Sequence, residues 1–253
     1  MTRIRMVIQY EGTNYVGWQQ QPNGLAVQER IEQELQKLTG QRPALHASGR
    51  TDSGVHAFAQ VAHFDTASRI PPDKFAYALN VGLPADIRIL FSGEAEGFHA
   101  RFDVVRKHYC YAIQHSPHAS AFTRNTALHV HMPLDVDAMN AAAACFLGTH
   151  DFSAFKAAGT NVESAVRTIY RSEWVKDGCL LRYHVAGSGF LYNMVRILVG
   201  TMLEVGLGRR ALETVPQALA SGERKQAGPT APAHGLTLRR VEYKDFDTED
   251  YLC

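Results

Sequence analysis

The sequence lacks the features that mark several broad classes of protein. No window approaches 18 uncharged apolar residues, so a membrane span is not predicted. The first residues contain no secretory hydrophobic region and lead straight into an alternating pattern, which favours a cytoplasmic protein. Four cysteines are scattered without paired spacing, which argues against a zinc site or a disulfide framework and predicts buried or idle thiols.

The motifs of several common enzyme classes are also missing. There is no GxxxxGK[ST], no GxGxxG after a strand and no GxSxG, which argues against nucleotide hydrolases, dinucleotide oxidoreductases and serine hydrolases. The twelve histidines form no HExxH. The net charge of +1 does not decide whether the chain binds nucleic acid, because it averages over all faces. The classes of protein that remain are an enzyme that uses a carboxylate without an obvious cofactor, and a binding protein.

Strand and helix patterns are interspersed along the 253 residues. Apolar residues alternate from Arg3 to Tyr10, which predicts a half-buried strand, and recur at helical spacing from Leu25 to Leu38. Other predicted strands are 45–47, 59–65, 87–91, 109–114 and 236–243, with a hairpin of 166–176 and 180–186; other predicted helices are 71–80, 135–148, 190–205 and 211–220. This mixture favours an α+β fold with mostly antiparallel sheets, in two similar halves, 1–104 and 105–253.

A loop bounded by Gly49 and Gly54 carries one cation, Arg50, and one carboxylate, Asp52. At a spacing of two in an extended segment, these side chains would point the same way, toward one ligand. The alternative is a surface turn in which Asp52 binds its own backbone.

The helix predicted over 190–205 has an apolar stripe, and its opposite face carries Asn193, Arg196, Gly200 and Glu204. An exposed face normally carries several lysines and glutamates, so this face is predicted to be covered, with Arg196 reaching a carboxylate or a phosphate. An ordinary structural salt bridge is the alternative.

Aromatic and basic residues are interleaved from Phe98 to Phe102, in the order Phe98, His99, Ala100, Arg101, Phe102. Such a run suits base stacking and phosphate contact, although a solvated edge strand would have the same composition.

Several segments together resemble the tRNA pseudouridine synthase A (TruA) family. The stretch GRTDSGVHA, from Gly49 to Ala57, is similar to the signature loop of that family. YEGT from Tyr10, FHARF from Phe98 and FLYNMVR from Phe190 agree with it in order and spacing. The resemblance therefore covers nearly the whole chain.

The resemblance implies a pseudouridine synthase fold with an active-site cleft between two α+β halves. It implies isomerisation of uridine at positions 38, 39 and 40 of the anticodon stem-loop of tRNA, by a homodimer that contacts the stem-loop and the elbow, with no metal or organic cofactor. Asp52 becomes the catalytic nucleophile, paired with Arg196. Tyr109 stacks on the substrate, with proton acceptance as a second role, and Leu236 completes the substrate pocket. The tRNA-binding residues are expected to be Arg50, Arg69 and 98–102. Residues 156–165 fall in a variable tRNA-contacting loop of the family.

Two rival functions are also compatible with the residue pattern. A non-catalytic RNA-binding module would use a similar sheet, but it gives no reason for a carboxylate in the Gly49–Gly54 loop and it lacks an RNP1-type run. An aspartate-nucleophile hydrolase acting on small substrates would need a water-activating base or a metal cluster, and the sequence displays neither.

Overall fold

The structure is a computed structural model that describes residues 1–159 and 163–252, so part of the 156–165 loop lies outside the described residues. The strands in chain order are β1 (Thr2–Tyr10), β2 (His46–Ala47), β3 (His56–Thr66), β4 (Ile87–Glu94), β5 (Val104–His115), β6 (Leu128–Val130), β7 (Gly148–Asp151), β8 (Val166–Asp177), β9 (Leu180–Gly187) and β10 (Leu236–Tyr243). The α-helices are α1 (Val27–Thr39), α2 (Phe75–Gly82), α3 (Val136–Ala144), α4 (Met194–Gly206) and α5 (Thr214–Ser221). The predicted α+β class is confirmed.

The chain forms two compact units, Met1–Val105 with Thr237–Cys253, and Arg106–Leu236. The first break lies one residue from the predicted boundary at 104/105. The predicted second half ran to residue 253, whereas the structure returns the C-terminal segment to the first unit. The reason is strand pairing, because β10 runs parallel to β3 with Thr237 opposite His56. A pairing between segments so far apart leaves no local signal in the sequence.

The first unit contains the strand order β4-β1-β3-β10, with β2 beside β3. As the alternation predicts, Ile4, Met6 and Ile8 of β1 are buried. Helix α1 buries its apolar stripe and ends at Gly40, whose left-handed backbone (φ 76°) stops the helix. Phe64 of β3 meets Phe75 of α2 edge to face, with ring centroids 5.3 Å apart.

The second unit contains the strand order β5-β9-β8-β7, with β6 parallel to β5. Strands β8 and β9 form the predicted hairpin, and Gly178 supplies the positive φ of 59° at its turn. Helix α3 begins as predicted, because the Asp135 carboxylate accepts a hydrogen bond of 2.9 Å from the Ala138 N–H. Strand β7 was not predicted, since its four residues are too few to display a period.

Helix α4 is shorter at its N-terminus than predicted and begins at Met194 rather than at Phe190. Asn193 adopts φ 58°, ψ 7°, a left-handed conformation that the helix cannot pass through. The predicted covering of its second face is observed, because a Cβ added to Gly200 would lie 1.9 Å from the Pro229 carbonyl oxygen. Helix and loop therefore touch backbone to backbone.

Gly200→Ala tests whether this crossing stabilises the second unit. Alanine is the better helix former by about 1 kcal/mol. Because its methyl group would collide with a backbone carbonyl, we nevertheless expect the free energy of unfolding to fall by about 1–3 kcal/mol. Urea denaturation measures it, with Ala141→Gly on the exposed side of α3 setting the scale of helix propensity alone. A variant as stable as the wild type would contradict the crossing.

Candidate active site

Asp52 lies in the loop between β2 and β3, and this loop presents it between buried neighbours. Its side chain is half-buried, whereas Thr51 and Val55 are buried and Arg50 is exposed. The loop is thus anchored on either side of the carboxylate. The predicted cation, Arg50, lies on the exposed part of the loop.

The anchors of the loop come from the segment after β1. The buried hydroxyls of Tyr10 and Thr51 are hydrogen bonded at 2.8 Å. The Trp18 N–H donates to the Thr51 carbonyl at 3.1 Å, and the Gly54 N–H donates to the Tyr15 carbonyl at 3.4 Å. The segments YEGT and GRTDSGVHA, two of those that carry the family resemblance, are therefore in direct contact.

Glycine makes this contact possible at two positions that the sequence did not single out for the purpose. A Cβ on Gly17, which has φ +108°, would lie 2.5 Å from the Thr51 carbonyl oxygen. A Cβ on Gly12 would lie 2.1 Å from the Val55 carbonyl oxygen. Of the two glycines in the loop itself, Gly54 adopts a positive φ (75°) but Gly49 does not. The close approach to the loop is therefore made from the segment after β1.

A buried amide holds the base of the loop. The Ser48 hydroxyl donates to Gln60 Oε1 at 2.5 Å, and Gln60 Nε2 donates to the Gly49 carbonyl at 2.8 Å. Burial raises the pKa of the Tyr10 phenol well above its ordinary value, so this hydroxyl stays protonated at neutral pH. These anchoring groups are neutral, so Arg50 and Asp52 are the charged residues of the loop.

Arg196 lies in the first turn of α4, where neutral oxygens hold its guanidinium. Its Nε donates to the Ala231 carbonyl at 2.8 Å, and its Nη1 donates to Asn193 Oδ1 at 2.8 Å. The Ala231 N–H donates in return to the Arg196 carbonyl at 3.0 Å. Asn193 is the sole non-glycine residue with a positive φ in the part of the chain that the structure describes. Such a conformation is typical of functional sites.

The loop of residues 227–235 connects Arg196 with Leu236, and it is fixed along its length. The Gly228 N–H donates to the Thr201 hydroxyl at 2.8 Å, and the Tyr111 hydroxyl donates to the Pro232 carbonyl at 2.9 Å. Burial raises the pKa of Tyr111, which keeps that hydroxyl a donor. Leu236, the predicted pocket residue, follows this loop directly and is buried.

Tyr109 lies on β5, opposite Val185 of β9. Its side chain is 9% exposed, and its ring meets Phe190 edge to face with centroids 5.1 Å apart. The ring plane is therefore fixed by a neighbouring aromatic side chain. A fixed ring is what stacking on a base requires.

The predicted RNA-binding segment 98–102 is anchored by one buried residue and is exposed at its C-terminal end. Ala100 is buried, and its N–H donates to His63 Nδ1 at 3.2 Å. Burial lowers the pKa of His63 to about 4, so the imidazole is neutral and can accept this bond. Phe102 is 75% exposed, and its ring lies 4.3 Å from that of His99 and 5.7 Å from the Arg101 guanidinium.

Arg69 is exposed, beyond the end of β3. Cys110, Cys145 and Cys179 are not in disulfides; Cys110 and Cys145 are half-buried and Cys179 is exposed, whereas Cys253 lies outside the described residues. Within 1–159 and 163–252, no group of three or more His, Cys, Asp and Glu side chains is arranged to hold a metal ion. None of the helices found there has both the length and the apolar content that crossing a bilayer requires.

Comparison with known proteins points to one family. A family model described as tRNA pseudouridine synthase matches residues 6–103 and 142–244. The chain is similar to proteins named tRNA pseudouridine synthase A from Acetivibrio thermocellus (48% identity), Ruminiclostridium cellulolyticum (50%) and Brevibacillus brevis (49%), each covering 96% of this chain and 100% of the relative. A solved archaeal box H/ACA sRNP Nop10-Cbf5 complex is only distantly similar, with a TM-score of 0.36 and 12% identity over 88% of this chain and 60% of the other.

Two substitutions of Asn193 separate its backbone conformation from its hydrogen bond. Asn193→Gly permits the left-handed backbone but removes the acceptor for Arg196, so we expect a loss of about 1–2 kcal/mol in the free energy of unfolding. Asn193→Ala should lose about 1 kcal/mol more, because alanine is strained at positive φ. Urea denaturation ranks the three proteins. A glycine variant as stable as the wild type would show that the bond to Arg196 contributes nothing.

Proposed function

Because the chain belongs to the tRNA pseudouridine synthase family, we propose that Asp52 is the carboxylate with which it isomerises uridine to pseudouridine in tRNA. The protein is an isomerase of tRNA uridine. The observation that carries the assignment of Asp52 is the architecture of its loop. Buried hydroxyl and amide groups hold the loop before the half-buried Asp52, and the Tyr15 carbonyl holds it after Asp52 by accepting from the Gly54 N–H.

The reaction makes few chemical demands. The bond between ribose C1′ and uracil N1 breaks, the base turns and C1′ joins C5, while a proton leaves C5 and a proton is taken up at N1. No electrons are gained or lost, so one ionised carboxylate, one proton acceptor and a pocket that retains the base are sufficient. Asp52 can act by attacking C1′, by attacking C6 or by removing a ribose proton. Each of these roles needs the carboxylate ionised.

Arg196 is proposed as the ion-pair partner of Asp52. Support comes from how its guanidinium is held, since the Ala231 carbonyl and the Asn193 amide oxygen fix the directions of Nε and Nη1. Such a charge-assisted pair would orient the Asp52 carboxylate in the pocket.

Tyr109 and Leu236 are proposed to line the pocket for the target base. The fixed ring of Tyr109 suits stacking, which contributes about 1–3 kcal/mol per base. Its hydroxyl would also be able to take the proton that leaves C5. Leu236, buried at the end of the anchored 227–235 loop, would pack on the other side of the base.

The finer substrate assignment is also a proposal: uridines 38, 39 and 40 of the anticodon stem-loop, bound by a homodimer that also contacts the tRNA elbow. A stem uridine must leave its stack, at a cost of a few kcal/mol. Arg50, exposed two residues before Asp52, would brace the vacated space. Other proposed tRNA contacts are Arg69, Phe98, His99, Ala100, Arg101 and Phe102, among which Arg69, Arg101 and Phe102 are the exposed ones.

Asp52→Asn tests the assignment of the carboxylate. The change keeps the shape of the side chain but removes the charge, so we expect the release of tritium from C5-tritiated tRNA to fall by about a thousandfold or more. Asp177→Asn, which removes an exposed carboxylate paired with Arg182, serves as the control and should retain the wild-type rate. An Asp52→Asn enzyme that still converts uridine would refute the assignment and favour a binding role for the loop.

Tyr109→Phe separates the two proposed roles of Tyr109. The phenylalanine ring still stacks, so the KM for tRNA should stay within about twofold of the wild-type value. If the hydroxyl accepts the C5 proton, kcat should fall by about a hundredfold or more, in the range that general bases contribute. Tritium release at saturating tRNA measures kcat. An unchanged kcat would exclude the proton role, and a large rise in KM would contradict stacking by the ring alone.

A further inference from the structure

A long segment of the chain contains no acidic residue. Between Asp103 and Asp135 the sequence has no Asp or Glu, but it has three Lys or Arg residues and five His residues. The whole chain has 25 acidic residues in 253, so about three would be expected in a stretch of this length. Such a segment is complementary to a polyanion, because it has no carboxylate side chain that would repel one.

The middle of this segment is a loop, residues 116–127, that a buried glutamine organises. Gln114 Nε2 donates to the Ser116 hydroxyl at 2.8 Å and to the His118 carbonyl at 3.0 Å. Its Oε1 accepts from the Ser120 N–H at 3.0 Å and from the Thr123 hydroxyl at 2.6 Å. The amide has two donors and two acceptor sites, and all four are used. The loop is therefore preorganised rather than loose.

This ordered loop displays an aromatic ring and a cation side by side. Phe122 is 97% exposed, and its N–H donates to the Ser120 hydroxyl at 3.1 Å. Arg124 is exposed, and its Nη1 donates to the Ala121 carbonyl at 2.6 Å, which holds the guanidinium beside the backbone of Phe122. Single exposed apolar side chains are common on protein surfaces. A ring held on a saturated scaffold next to a cation is a more specific arrangement.

The neighbouring acid does not neutralise this surface. The turn between β8 and β9 adjoins the end of β5, because the His115 N–H donates to the Cys179 carbonyl at 2.8 Å. Asp177, the last residue of β8, is paired with Arg182 at 2.8 Å. The local charge of the 116–127 loop therefore stays positive.

We propose that the 116–127 loop is an additional RNA-docking surface, on which Phe122 stacks against a nucleobase of the bound tRNA while Arg124 contacts an adjacent phosphate. Stacking on an exposed ring tolerates any base, and an arginine beside it supplies the backbone contact, a combination typical of proteins that bind unpaired nucleotides. This inference rests on the proposed function, because it takes tRNA as the substrate. A second copy of the chain is the competing occupant, and the absence of acidic residues favours RNA.

Phe122→Ala and Arg124→Gln test the surface. For Phe122→Ala we expect the Kd for tRNA, measured by filter retention, to rise roughly tenfold, and kcat at saturating tRNA to stay at the wild-type value. Phe122→Tyr keeps the ring and should restore the wild-type Kd. For Arg124→Gln we expect a weaker Kd and a slope of log K against log salt that is reduced by about one. Since both side chains are exposed, the variants should fold like the wild type.

Tyr77→Ala is the matched control, because Tyr77 is 72% exposed and lies 5.4 Å from the Lys74 ammonium, but that lysine is paired with Asp73. It should leave the Kd unchanged. A wild-type Kd for Phe122→Ala would overturn the inference and leave the proposed function standing. So would a change confined to self-association in sedimentation equilibrium, which would assign the loop to a second copy. Wild-type enzyme that releases no tritium from tRNA would overturn the proposed function and this inference together.

Discussion

Close contact between two backbones, at a position where only glycine fits, is the constraint on which the functional part of each unit depends. In the first unit Gly17 lies against the carbonyl of Thr51, the residue before Asp52. In the second unit Gly200, one turn after Arg196, lies against the carbonyl of Pro229. Peptide groups are stiffer than side chains, so neither contact can adjust by a change of rotamer. A carboxylate and a guanidinium held next to such contacts are preorganised, as the roles proposed for Asp52 and Arg196 require.

The groups that complete these contacts are buried, polar and neutral. Tyr10 binds Thr51 in the first unit, and Tyr111 binds the Pro232 carbonyl in the second. Burial raises the pKa of both phenols, so neither changes its charge in the physiological range. A charged anchor would interact electrostatically with Asp52 or Arg196, and it would make the geometry depend on pH. Neutral anchors avoid both effects, and since their hydrogen bonds are made, their burial carries no large penalty.

The sequence predicted the features that depend on local period and on turn chemistry. Strand β1, helix α1, the hairpin of β8 and β9 and the Asp135 cap follow from residues within a few positions of one another. The start of α4 was missed because the left-handed backbone of Asn193 overrides an unbroken apolar stripe. The C-terminal segment was assigned to the other unit because its pairing with β3 joins residues about 180 apart in sequence. The need for Gly12 and Gly17 was also missed, since the backbone they approach is far along the chain.

The helix face that carries Arg196 shows how much can be predicted from the composition of one face. A face that carries one arginine and a glycine, where lysines and glutamates are expected, indicates that something covers it. What covers it could not be inferred, because the 227–235 loop binds through peptide groups that every sequence possesses. The small side chains of that loop permit the approach, and Thr201 and Arg196 supply the specific hydrogen bonds. The composition of the helix face therefore indicated that another segment covers it. Only the structure showed that this segment is the 227–235 loop.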